Sequence, residues 1–190
     1  MLKKDIRRTY LEKRKTLSND EVFLLSKLIF ERFKSYFDIR PGDKIHIFLT
    51  IDKLKEIQTF QFIEYCWEHQ IRIFVPKMIG DELISLEINK ETPLEINGWG
   101  IMEPVGDIDA GFVHYDYVIT PLLYCDGHGN RVGYGKGFYD KLFASLDSRT
   151  KKIGVNYFTP THIVEDTYNG DILLDYLVTP TEVLSFFKSL

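Results

Sequence analysis

Short apolar runs alternate with segments of helical period along most of this chain, and no other feature of the sequence constrains the fold as tightly. Residues 43 to 50 alternate Ile45, Ile47 and Leu49 as a strand does, and residues 56 to 69 return to helical spacing with Ile57, Phe60, Ile63 and Trp67. Residues 71 to 76 form a short apolar strand, 83 to 88 an edge strand or hairpin arm, and 115 to 121 a buried strand. Residues 151 to 157 and 176 to 179 supply two more, while 97 to 106, punctuated by glycine and proline, reads as a loop. Two helices come first. One is basic and spans 3 to 17; the other opens with a capping box of Ser18 and Glu21 and carries Val22, Leu25, Leu28, Ile29 and Phe33 on one face. The pattern predicts an α/β chain: a single-domain, three-layer, open and mostly parallel sheet with helices on both faces, Rossmann-like. Ligands of such sheets collect at the C-terminal ends of the strands.

With 190 residues, 44% of them hydrophobic, the chain can bury one substantial core, so residues 1–190 are expected to form one domain. Its net charge of −4 offers no general attraction to nucleic acid. The charge is uneven: residues 1 to 15 hold seven basic and two acidic side chains, +5, which leaves −9 for the rest. A solvated helix face would account for that. Cys66 and Cys125 are too few for a disulfide framework and lack a CxxC spacing, the first residues are polar, and no run approaches the ~18 apolar residues of a membrane span. These features point to a cytoplasmic protein with no membrane partner.

The chemistry concentrates after the strand at 115 to 121. Gly133, Gly135 and Gly137 alternate in RVGYGKGFYD, and such a segment can take backbone angles closed to other residues and turn N–H groups toward one point. A helix starting near Lys136 to Phe138 adds its dipole, Arg131 and Lys136 add charge, and Asp140 is a carboxylate suited to Mg²⁺. The loop fits neither a dinucleotide fingerprint nor a Walker loop. A tight strand-to-helix turn would also need its glycines. Cys125 and His128 lie close in sequence, but proximity in a loop does not make a nucleophile pair. Tyr124 and Trp99 are candidate aromatic platforms, whereas Phe62 and Trp67 have core spacing.

NRVGYGKGFYD at 130 to 140 resembles the R-L-G-x-G-x-G-Y-Y-D signature of the 5-formyltetrahydrofolate cyclo-ligases, or methenyltetrahydrofolate synthetases, with Val132 for Leu and Phe138 for Tyr. An N-terminal KKDIR, the E-x-x-T of Glu56 to Thr59, GIMEP at 100 to 104, and Asp171 and Asp175 before LVTP extend the likeness over nearly the whole chain. The chain departs from the family pattern at Pro160 and at Gly170, the neighbour of Asp171.

The resemblance implies Mg²⁺-dependent use of ATP to cyclise 5-formyltetrahydrofolate. Lys3, Lys4 and Arg7 would reach the phosphates. Arg131, Val132, Gly133, Tyr134, Gly135, Lys136, Gly137, Phe138 and Tyr139 would line the nucleotide, with Arg131 and Lys136 catalytic. Ile51 and Glu56, together with Tyr134, Gly135, Lys136, Gly137 and Phe138, would meet the folate, and Asp140 and Asp171 the metal. ATP phosphorylates the formyl oxygen, N10 of the folate attacks, and phosphate leaves, so positioning and charge neutralisation are the protein's main tasks. A monomer with no nucleic-acid partner is expected. A small-molecule kinase on a related scaffold, or a non-catalytic nucleotide or folate binding module, are the alternatives.

Overall fold

The structure, a computed structural model, describes residues 1–80, 82–98, 101–111 and 114–187. Two helices lead, α1 (Lys3–Lys15) and α2 (Asn19–Tyr36). The capping box at the start of α2 is formed: the Ser18 hydroxyl accepts from the Glu21 N–H at 3.2 Å, and the Glu21 carboxylate accepts from the Ser18 N–H at 2.7 Å. Val22, Ser26, Ile29, Phe30 and Phe33 are buried, whereas Leu28 is 42% exposed. At about 100° per residue, position 28 falls on the far side of that stripe.

The strands are β1 (Lys44–Ile47), β2 (Arg72–Ile79), β3 (Glu82–Ile88), β4 (Leu94–Ile96), β5 (Met102–Pro104), β6 (Tyr117–Pro121), β7 (Tyr124–Cys125), β8 (Arg131–Val132), β9 (Lys151–Val155), β10 (Tyr176–Val178) and β11 (Val183–Ser185). Helix α3 (Phe60–Glu68) links β1 to β2, and α4 (Phe138–Ala144) links β8 to β9. Seven strands form one sheet in the order β11-β10-β9-β6-β1-β2-β3. The run β10 to β2 is parallel, and the edges β3 and β11 are antiparallel. Taken in chain order, the parallel strands stand as 2-1-3-4-5, a doubly wound arrangement whose switch point lies between β1 and β6.

Alternation along the strands sorts the core. Ile45, Ile47, Ile73, Val75, Tyr117, Ile119, Ile153 and Val155 pack against α2 and α3, while Phe74, Val118 and Leu177 face Phe143 of α4. A third cluster seats α1, with Ile6 and Tyr10 against Leu123, Tyr124, Val132 and Val164. Burying each of those two side chains contributes roughly 2 kcal/mol, so α1 is fixed over the C-terminal end of β6.

Three local expectations differ from the structure. Helix α3 starts at Phe60, not residue 56, because Lys55 takes a left-handed φ of 50° after the 3-10 turn Asp52–Leu54 and Glu56 bonds back to Ile51. Within 97 to 106, the strand Met102–Pro104 pairs with Leu94–Ile96 as a small hairpin. The edge strand β11 is three residues long, too short for a periodic signal. Among the described residues no helix is long and apolar enough to cross a membrane.

Candidate active site

The site lies at the C-terminal ends of β1 and β6, on either side of the switch point. Beyond β6 the chain forms the β7–β8 hairpin, and the fully buried Asp126 holds its turn by accepting from the N–H groups of His128, Asn130 and Val164 at 2.9, 3.0 and 3.1 Å. The glycine loop follows. Gly135 (φ 92°) and Gly137 (φ 71°) take left-handed angles, which favour glycine; Gly133 does not. None of the backbone N–H groups from Gly133 to Asp140 has an acceptor among the described residues. Arg7 Nε donates to the Gly133 carbonyl at 2.9 Å, and its guanidinium carbon lies 3.4 Å from where a Cβ on Gly135 would stand. Lys136 is exposed and makes no ion pair among the described residues. Open backbone donors beside two cations form an arrangement suited to phosphate.

A buried polar chain runs inward from the same loop. Tyr134 exposes its ring, but its hydroxyl donates to Glu56 Oε1 at 2.6 Å, and Glu56 Oε2 accepts from the Ile51 N–H at 3.0 Å. Arg14 Nη1 donates to the Tyr134 hydroxyl at 3.1 Å, and Nη2 donates to the Leu122 carbonyl. Burial pushes the Glu56 carboxyl above its ordinary range, against the pull of Tyr134, Ile51 and the Arg14 charge. Burial also drives the Tyr134 hydroxyl up, and the Glu56 charge adds to it, so this hydroxyl keeps its proton.

The outer wall is made of paired charges. Arg131 donates to Asp140 Oδ1 at 2.5 Å and to the Ile172 carbonyl, and the Ile172 N–H donates to Asp140 at 3.1 Å. Burial lowers the Arg131 pKa, opposed by the charges of Asp140 and Asp171. Lys3 pairs with Asp171 and lies 4.7 Å from the Tyr168 ring centroid. The bond from Ile172 to Asp140 ties the segment that carries Asp171 to Asp140. No group of three or more candidate protein ligands occurs among the described residues. Two carboxylates, completed by phosphate oxygens and water, fit Mg²⁺ better than an all-protein cage would.

Other predicted residues stand further off. Lys4 is exposed without a partner among the described residues, and Val132 is buried against α1, so only its backbone reaches the loop. The Tyr139 ring packs beside His46 and Phe143, with its hydroxyl unpartnered. Tyr124 is no platform: it is fully buried, its hydroxyl bonded to the backbone of Thr161 and His162. Trp99 and Gly100 lie outside the described residues. Cys125 is buried with its thiol pushed well up, which removes it as a nucleophile. Sequence reasoning missed Arg14. Its signal was a cation seven residues beyond Arg7, on the apolar stripe of Ile6 and Tyr10.

The profile of the 5-formyltetrahydrofolate cyclo-ligase family matches residues 1–165. A 5-formyltetrahydrofolate cyclo-ligase of Escherichia coli (strain K12) is 27% identical over 180 residues, covering 90% of this chain and 97% of the relative. One from Mycoplasma pneumoniae is 29% identical over 181 residues, covering 94% and 98%. The solved structure of Aquifex aeolicus 5,10-methenyltetrahydrofolate synthetase superposes with a TM-score of 0.82 at 28% identity, covering 100% of this chain and 96% of the other. A glycine loop at the switch point, a buried Glu56 beneath it and a match that runs from the first residue to 165 agree with one another, and the chain belongs to the 5-formyltetrahydrofolate cyclo-ligase family.

Proposed function

We propose that this chain is an ATP-dependent cyclo-ligase that converts 5-formyltetrahydrofolate to 5,10-methenyltetrahydrofolate, releasing ADP and phosphate. The observation that carries the reading is the double use of one loop. Tyr134 bonds the buried Glu56, and on both sides of it the backbone N–H groups are open, with Arg7 against Gly135. Glu56 and Ile51 are assigned to the folate; the loop from Arg131 to Tyr139, with Lys3, Lys4 and Arg7, is assigned to the nucleotide.

The formyl group is a poor electrophile because its nitrogen lone pair is delocalised. Moving the γ-phosphoryl group onto the formyl oxygen turns that oxygen into a leaving group, N10 then attacks the carbon and gives up its proton, and phosphate departs with the oxygen. In this scheme Lys136, Arg7 and the open N–H groups hold the phosphates, and Arg131 meets charge that develops during transfer. Asp140 and Asp171 would hold Mg²⁺, which when bound neutralises phosphate charge. With Mg²⁺ held there, Arg131 and Lys3 would be released from Asp140 and Asp171 to meet phosphate. We further propose that residues 1–190 form one domain working as a cytoplasmic monomer, without nucleic-acid or membrane partners.

The test is absorbance at the methenyl-folate band, using purified protein, Mg²⁺ and 5-formyltetrahydrofolate, with and without ATP. An ATP-dependent rise is expected. No rise despite intact ATP binding would replace this reading with a kinase or a binding module.

A further inference from the structure

The proposed chemistry leaves one buried cation without a part. Arg14, on the last turn of α1, is 2% exposed, and its Nε–H has no partner among the described residues. The Tyr157 ring lies 5.7 Å from its guanidinium carbon. A charge in that position is costly, and an apolar side chain of similar length would fill the space beside Ile6 and Tyr10 at lower cost.

The hydrogen bonds give Arg14 its role, because a guanidinium only donates. The Tyr134 hydroxyl that accepts from Arg14 Nη1 must use its own proton on another acceptor, and that acceptor is Glu56 Oε1, 2.6 Å away. The second carboxylate oxygen is held by the Ile51 N–H at 3.0 Å. Without Arg14, the Tyr134 proton could rotate away and Glu56 would lose one of its two anchors. We propose that Arg14 is a positioning residue for the folate: acting through Tyr134, it fixes the Glu56 carboxylate in one orientation, so that its remaining lone pairs accept from the N–H donors of a reduced pterin. This rests on the reading of Glu56 as a folate contact.

The Arg14 charge acts on Glu56 in the same sense as its bonds. Burial raises its pKa, Asp52 adds to the rise, and Tyr134, Ile51 and Arg14 oppose it; Tyr139 and Tyr157 face it as neutral phenols. Removing Arg14 should therefore move the acidic limb of folate binding to higher pH.

Four variants test the assignment: Arg14→Met, Arg14→Lys, Tyr134→Phe and Glu56→Gln, each measured for both KM values and for folate binding against pH. Arg14→Met should raise KM for 5-formyltetrahydrofolate about tenfold, leave that for ATP within about twofold, and move the acidic limb upward. Combining Arg14→Met with Tyr134→Phe should cost no more than the worse single change, because both act through one chain of bonds. Equal rises in both KM values, or additive effects, would overturn the proposal. Should Arg14→Met fail to fold, Arg14→Lys keeps the charge but reaches one acceptor, so folate KM alone should rise with the acidic limb unmoved. A wild-type folate KM or an equal rise for ATP would count against it. If Glu56→Gln leaves folate KM unchanged, the folate reading itself fails and the proposal falls with it. If Glu56→Gln raises it and Arg14→Met does not, only the part given to Arg14 is wrong.

Discussion

The carboxylates at both ends of the sheet accept from backbone N–H groups, and the ends differ in what else those carboxylates hold. At the N-terminal end, Asp43 accepts from the Arg40 N–H at 2.9 Å, Asp116 from the Lys44 N–H at 2.8 Å and Asp175 from the Lys152 N–H at 2.7 Å. These acids close the starts of parallel strands, and their backbone partners cannot be exchanged without opening the sheet; Asp175 also pairs with the Lys152 ammonium at 2.9 Å. At the C-terminal end, Asp140 and Asp171 add a side-chain cation, Arg131 and Lys3, to their backbone bonds, while Glu56 is held by Tyr134. A side-chain cation can turn to another anion without opening the sheet. A crevice of about 600 Å³ opens at the N-terminal end, lined in part by Asp43, Asp116, Tyr117 and Lys151, yet its charges balance and its acids are occupied. Exchangeable partners, more than cavity size, mark the reactive end.

The largest expected effect tests the reactive end. Lys136→Ala should reduce ATP-dependent turnover by about 10²-fold or more while leaving the thermal midpoint unchanged, since Lys136 is exposed and unpaired among the described residues. Asp140→Asn should impair turnover comparably and weaken its dependence on Mg²⁺. Wild-type kinetics in both variants would break the comparison outright.

A second test separates burial from chemistry within the same end. Burial pushes the His46 imidazole from 6.5 down to about 3, with both ring nitrogens unpartnered. The folded state therefore resists the proton. Stability from this group is complete above pH 6.5 and is lost as pH falls toward 3, a change on the order of 5 kcal/mol. Denaturant titrations across that window should show the slope in the wild type and a shallower one in His46→Leu, with turnover at neutral pH retained. An unchanged slope would remove His46 as its source.

Asp116→Ala probes the other end, with an expected stability loss of about 1–2 kcal/mol and turnover per folded molecule unaltered. A drop in turnover without a drop in stability would erase the distinction between the ends. The smallest contrast lies within α1. Lys3→Ala should raise KM for ATP about fivefold by removing the partner of Asp171, and Lys4→Ala, at the exposed margin of the same site, should raise it less, by about twofold, as measured by initial rates. Deleting the whole segment would confuse the issue, because Ile6 is fully buried in the third core cluster.

The sequence by itself determined the layer architecture, the strand-to-helix position of the glycine loop and the cations near it. Those are properties of period and spacing over a few residues: alternation every second residue fixes a strand's two faces, and glycine at 135 and 137 permits the left-handed turns found there. The capping box of Ser18 and Glu21 was legible for the same local reason. Tertiary structure decided which side chains meet. Arg14 and Tyr134 stand 120 residues apart, Tyr134 and Glu56 stand 78 apart, and Lys3 and Asp171 stand 168 apart. No local pattern relates such positions; they come together because β1 and β6 are neighbours across the switch point and α1 is packed over the end of β6. The same packing placed Tyr124 in the core and started α3 four residues late, since a buried hydroxyl and a buried carboxylate take the partners the fold brings to them.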